Sequence, residues 1–211
     1  MRTLVCDIDN TIADARPRLA CSLEAIGRPE LARTAFTDYG GFKPFVTKDE
    51  HRRLFQVFLS ERFMALDEPL PRAAEVLSAW TDRGHRLVYL TGRHDDTGDS
   101  MRIGTERWLQ EHGFPLPDDD HVMLRMKPGR GAGDQDYKRQ VLAELAAHDS
   151  LWAGIGDLPY EGRLYGEFGM RPILTAELNL IAVEHLQQSH PAAVIVHGWN
   201  EIAGHLASRL D

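Results

Sequence analysis

The first apolar run of this chain ends on two aspartates, Asp7 and Asp9, in "LVCDIDNTIAD" (residues 4–14). A carboxylate at the end of a buried strand is costly unless something pairs with it. Other reactive groups end later runs. Thr91, Gly92 and Arg93 close "LVYLTGR", and Asp157 closes "LWAGIGD", with Glu161 four residues on. Lys138 follows the glycine-rich "KPGRGAGDQD". Three carboxylates gathered in one place repel one another and take up protons. A divalent cation removes that conflict, and Mg2+ in particular takes one or two carboxylates, some waters and a phosphate oxygen. Thr91 and Lys138 suit the phosphate oxygens, one by a neutral hydrogen bond and the other by charge. One acid could then attack phosphorus, forming an acyl phosphate, while the other handles the leaving group's proton.

These groups need elements to bring them together. "TLVCDI", "RLVYLTG", "HVMLRM", "LWAGIGD", "PILTA" and "AAVIV" read as short buried strands. Between them lie helical patterns. "PRAAEVLSAWTDRG" starts near Pro71 and stops at Gly84, "SMRIGTERWLQEHG" has Ser100 as a cap and stops at Gly113, and "YKRQVLAELAAH" sets Tyr137, Val141, Leu142 and Leu145 on one side. Strands alternating with helices predict an α/β fold, a Rossmann-like parallel sheet covered on both faces. Ligands of such sheets bind beyond the carboxyl ends of the strands, where Asp7, Asp9, Thr91 and Asp157 fall.

Residues 15–66 break the alternation. They hold six of the eight phenylalanines and no clear buried strand, and "KDEHRRLFQVFLSERF" has the spacing of an amphipathic helix with Leu54 and Phe58 inward. Nine Lys and Arg against six Asp and Glu give this segment +3, so the remainder of the chain carries −11 of the total −8. We expect a core of residues 1–14 and 67–211 with a helical cap inserted over 15–66. The net charge argues against stable duplex nucleic-acid binding. Two cysteines, Cys6 and Cys21, do not make a disulfide framework, and the start of the sequence has no signal-peptide pattern, which points to the cytoplasm. No run approaches a membrane span. The histidines lack zinc-site spacing, and no G-x-x-x-x-G-K-[ST] loop is present.

"DIDNT", "LVYLTGR", "DYKRQVL" and "IGDLPYEG" together resemble, in order, the four motifs of the haloacid dehalogenase superfamily, and the 15–66 segment lies where that family carries helical caps. The resemblance implies a phosphatase with Asp7 as nucleophile and Asp9 as general acid and then base. It implies Mg2+ held by Asp7, by Asp9 through its backbone carbonyl and by Asp157, with Glu161 either a further metal ligand or a group that supports the ligands without touching the metal. Thr91 and Lys138 would bind the phosphoryl group, with Arg93 a further substrate contact. The stretch from "TGR" to "DYK" also resembles the phosphatase half of polynucleotide kinase 3′-phosphatases. The expected substrate is a small phosphorylated metabolite, a nucleotide or a nucleic-acid 3′-phosphate end. The alternative is a phospho-accepting or phosphate-binding regulatory protein without turnover, since receiver-type signalling domains use a similar set of groups. Receiver domains, however, carry no cap-sized insertion after the first strand.

Overall fold

A computed structural model describes residues 1–37, 41–95, 101–118, 120–129, 131, 133–176, 178 and 192–207. Six strands form one sheet: β1 (Thr3–Cys6), β4 (Arg86–His94), β5 (Val122–Lys127), β6 (Leu151–Gly156), β7 (Arg171–Thr175) and β8 (Val194–Val196). Their order is β5-β4-β1-β6-β7-β8 and every neighbouring pair is parallel. After β1 the chain builds outward through β4 and β5, then returns to place β6 on the other side of β1. The crevice at that reversal is where α/β sheets bind ligands, and the ends of β1 and β6 line it.

Helices cover both faces: α4 (Ala73–Thr81), α5 (Met101–Glu111), α6 (Asp134–Ala146), α7 (Pro159–Glu167) and α8 (Trp199–Ala207). One face packs Leu4, Cys6, Leu77, Trp80, Leu87, Tyr89 and Trp108 into a continuous apolar cluster, and the other packs Val5, Val88, Leu90, Val141, Leu142 and Tyr165. Alternate residues of β1 and β4 thus serve opposite layers, as the period of a strand requires. Gly84 and Gly113 end α4 and α5 with φ of +75° and +71°, a conformation glycine adopts without penalty. Helix α7 goes beyond the sequence reading, which took its residues only as a motif. The Ser100 cap and the helical stretch after "PILTA" lie outside the described residues.

Between residues 16 and 66 the described residues form helices joined by turns, with no strand among them. They comprise α1 (Arg16–Ala25), the single turn α2 (Thr34–Thr37), α3 (Lys48–Phe58) and 3-10 turns at Pro29–Leu31, Lys43–Phe45 and Glu61–Leu66. The amphipathic helix expected over 48–63 ends at Phe58, five residues early, and Ser60 separates it from the last 3-10 turn. Thr47 caps α3, its hydroxyl accepting from the Glu50 N–H while Glu50 accepts from the Thr47 N–H. Leu19, Leu23, Ala35, Phe42, Leu54 and Phe58 form an apolar cluster drawn from this segment alone. Two short antiparallel strands, β2 (Ala13–Asp14) and β3 (Glu68–Pro69), clasp the segment's two ends.

Candidate active site

Strand β1 ends at Cys6, two residues short of the expected run, because the chain turns immediately afterwards. Asn10 takes a left-handed backbone with φ of 58°, which its short polar side chain tolerates. The N–H groups of Thr11, Ile12 and Ala13 all return to the Ile8 carbonyl. Trp199 of α8 holds the turn from outside, its indole N–H donating to the Thr11 carbonyl at 2.8 Å. The turn separates the two acids that a regular strand would have placed on one face.

Asp7 points toward α6. Lys138 Nζ donates to Asp7 Oδ1 at 2.7 Å and also to Glu161 Oε1. Glu161 Oε2 accepts the backbone N–H groups of Asp157 and Leu158, each at 3.1 Å. Carboxylate oxygens of Asp7, Asp157 and Glu161 lie within 4.8 Å of one another, and all three residues are buried. Burial pushes the Asp7 carboxyl up to about 7, with Lys138 opposing and the Glu161 charge adding to the rise. Burial likewise raises Asp157 well above the carboxylate range, reinforced by Glu161 and Asp7. For Lys138 burial favours the neutral amine, but Asp7 and Glu161 outweigh it and keep the ammonium. Asp157 Oδ2 is buried and takes no hydrogen bond from the protein. An orphaned carboxylate oxygen beside a second carboxylate is the environment a hard cation fits. Thr91 is fully buried one strand away, its hydroxyl oxygen accepting the Arg93 N–H at 3.2 Å.

Asp9 points the other way, into a cluster the sequence reading missed. Arg93 Nη2 donates to Asp9 Oδ1 at 2.7 Å and Arg93 Nε to Oδ2 at 3.2 Å, and Arg18 Nη2 also reaches Oδ1. Asp67 pairs with Arg18 at 2.9 Å and with Arg93 at 2.8 Å. Burial opposes ionisation of Asp9, but the two guanidiniums outweigh it and hold the carboxyl well below its usual range. Arg18 further donates to the Phe58 carbonyl at 3.2 Å and lies 4.2 Å from that ring's centre. The structure turns Arg93 into this cluster: its guanidinium is completely buried, with Nε and Nη2 on Asp9, Nη2 also on Asp67 and Nη1 on Thr105 at 3.1 Å. Arg18 and Asp67 carried no motif. Their one trace in the sequence is position, each a few residues from a boundary of the inserted segment.

A family model described as "PITM 1-3, LNS2 domain" matches residues 58–157. A Bacillus cereus protein named "Putative nucleotidase" is 31% identical over 74 residues, covering 35% of this chain. The match spans 37% of that protein's length. Among solved structures, a haloacid dehalogenase-like family hydrolase from Streptococcus pneumoniae superposes with a TM-score of 0.68 at 16% identity, covering 97% of each chain. A structure titled "putative phosphoglycolate phosphatase" from Lactobacillus delbrueckii gives 0.64 at 16% identity over 98% of each. A hydrolase from Pseudomonas syringae gives 0.62 at 15% identity over the whole of both.

Proposed function

We propose that this chain, whose fold is that of the haloacid dehalogenase-like hydrolases, is a Mg2+-dependent phosphomonoester hydrolase that works through a phosphoaspartate. The observation that carries the reading is the Lys138–Asp7 contact at 2.7 Å beside the unsatisfied Oδ2 of Asp157. It joins a nucleophile, a fixed cation and an open carboxylate oxygen at the sheet's switch point. Asp7, Asp157 and the Asp9 carbonyl would hold the ion, which when bound would neutralise charge on the phosphoryl oxygens.

The chain's own groups supply the rest. Asp7 attacks phosphorus as its carboxylate, and the ester oxygen leaves with a proton from Asp9. Asp9 then takes a proton from the water that cleaves the acyl phosphate, returning Asp7 as carboxylate and releasing phosphate. Lys138 and the Thr91 hydroxyl hold the phosphoryl oxygens. Residues 15–66 act as a cap over the site and exclude water until the leaving group departs. Because both Asp9 oxygens are engaged by arginine, Asp9 must let go of one guanidinium before it carries a proton to the substrate.

Phosphate release from p-nitrophenyl phosphate with and without Mg2+ tests the reading. Many turnovers per chain with Mg2+, abolished in Asp7→Asn, are expected. A single stoichiometric uptake of phosphate would instead favour the phospho-accepting regulator. For the substrate, nucleoside monophosphates and phosphoglycolate come first, following the names of the Bacillus cereus and Lactobacillus delbrueckii proteins. A 3′-phosphorylated oligonucleotide is included on the sequence resemblance alone.

A further inference from the structure

In the cluster at the base of the inserted segment, Asp9 alone reaches solvent: its side chain is 19% exposed, and those of Arg18, Arg93 and Asp67 are fully buried. Both guanidiniums are anchored without it. Arg93 has Nη1 on Thr105 and Nη2 on Asp67. Arg18 has Nε on Asp67 at 2.9 Å, Nη1 on the Phe58 carbonyl at 3.2 Å and the Phe58 ring 4.2 Å away. Two donors face Asp9 and no other acceptor among the described residues. Arg18 Nη2 meets Oδ1, and Arg93 Nε meets Oδ2 at 3.2 Å. Guanidinium N–H groups converging on the two oxygens of a carboxylate are how arginine grips a planar anion. Asp9 thus stands in an anion site and covers it. When Asp9 swings to the ester oxygen, Thr105, Asp67 and Phe58 still hold both arginines in place. Two buried positive charges then face a single acid, an imbalance that is costly until another anion enters.

We propose that Arg18 is a specificity-determining residue, and that the anion which replaces Asp9 on Arg18 Nη2 and Arg93 Nε is a second negative group on the substrate's leaving alcohol. The inference rests on the phosphatase reading and narrows it to phosphomonoesters whose alcohol carries a carboxylate or a further phosphate. One swing of the Asp9 side chain separates the anion site from the ester oxygen, so the second charge lies only a few bonds from that oxygen. Binding such a substrate and freeing Asp9 are one exchange of anions, with no covalent bond made or broken. A neutral alcohol offers no exchange partner, and Asp9 stays on the arginines for most of the time, away from the oxygen it must protonate.

The test compares three esters on the full chain with Mg2+: phosphoglycolate, its neutral primary amide, and ethanediol bisphosphate, in which a second phosphate replaces the carboxylate. At least one anionic ester is expected to exceed the amide in kcat/KM by about tenfold or more, the usual worth of a hydrogen bond to a charged group. The better of the two names the anion. Arg18→Gln should bring the anionic esters to within about threefold of the amide and change the amide itself much less. A merely structural arginine would lower all three alike and keep the ratio. If Arg18→Gln does not fold, Arg18→Lys replaces it and should lose part of the preference, because an ammonium keeps the charge without the fork. Equal kcat/KM for the three esters in the unaltered chain, a comparison that needs no variant, overturns the proposal. So does a preference that survives unchanged in the Arg18 variant. A chain that turns over none of the esters, nor p-nitrophenyl phosphate, defeats the phosphatase reading. Calorimetric binding of phosphoglycolate against its amide at saturating Mg2+ then decides the anion site alone, and equal affinities overturn it.

Discussion

Arg18 and Asp67 stand near opposite ends of the inserted segment and meet as an ion pair of 2.9 Å with neither side chain exposed. Both reach the same acid–arginine pair, Asp9 and Arg93, directly or through one another. Entry and exit of the segment are therefore tied to the carboxylate that would serve the leaving group. Two acids and two guanidiniums sum to zero charge, which is how Arg18, Arg93 and Asp67 remain buried beside the partly exposed Asp9.

Breaking that balance is costly. Arg18→Met leaves Asp67 and Asp9 sharing one guanidinium, and we expect a loss of about 3 kcal/mol in urea unfolding, typical of an uncompensated buried charge. Adding Asp67→Leu restores neutrality and should recover part of the loss. A double variant whose loss equals the sum of the two single losses would show that the pair does not act as a unit.

Asp9 is predicted to matter in proportion to how poorly the alcohol leaves. Asp9→Asn should slow hydrolysis of an alkyl phosphate by at least about a hundredfold, the usual contribution of a positioned acid. The first step with p-nitrophenyl phosphate, whose phenolate leaves without a proton, should lose much less, read as kcat/KM or as the burst of p-nitrophenolate, although kcat falls on both substrates because Asp9 also serves the shared hydrolysis of the acyl phosphate. Equal losses in kcat/KM on the two substrates would mean that Asp9 does not protonate the leaving group.

The pH dependence of stability follows from Asp7. Its folded carboxyl sits at about 7, against an ordinary 3.8. Between those values the unfolded chain has lost the proton and the folded chain retains it, so this group's contribution falls as pH rises through the window. In chelator, Asp7→Asn should melt above the unaltered chain at about pH 7.5 and level with it near pH 4. Mg2+ binds the ionised carboxylates, so its stabilisation should be larger at about pH 7.5 than at about pH 5.5. A shift that does not depend on pH would place the ion away from Asp7.

What was legible in the sequence divides along physical lines. The strands of the sheet are short apolar runs bounded by polar residues, and burial on both faces leaves a strong signal whatever surrounds them. The places of Asp7, Thr91 and Asp157 at the ends of neighbouring strands, and of Lys138 on the helix that follows, could be read because each closes or follows such a run. Arg18 and Asp67 could not be read, because their pairing spans the whole inserted segment and neither lies in a periodic pattern. The partners of Arg93 could not be read for a related reason: a guanidinium beside a phosphate motif suggests a phosphate contact. Only the fold shows that Asp9, Asp67 and Thr105 already surround it. The strand over residues 3–8 was drawn two residues too long, because apolar Ile8 reads as part of the run although the sheet pairing ends at Cys6.

The glycines of β6 give the sharpest local test. A Cβ on Gly156 would stand 2.1 Å from Glu161 Oε2, and one on Gly154 would stand 2.3 Å from the Tyr165 ring. Both contacts are too short to survive, so Ala at either position forces a buried side chain to move, at about 1–3 kcal/mol for overpacking. The consequences for activity should differ. Tyr165 belongs to the apolar layer under the sheet, so Gly154→Ala should lower the melting temperature and leave KM close to that of the unaltered chain. Gly156→Ala displaces the carboxylate that holds Lys138, so phosphate release should collapse even under conditions where the variant is fully folded. Gly204 in α8, where an added Cβ meets nothing within 4 Å, is the control. Ala there should be neutral or slightly stabilising, as expected for a helix interior. Retained activity in Gly156→Ala would mean that the Glu161–Lys138 contact is dispensable.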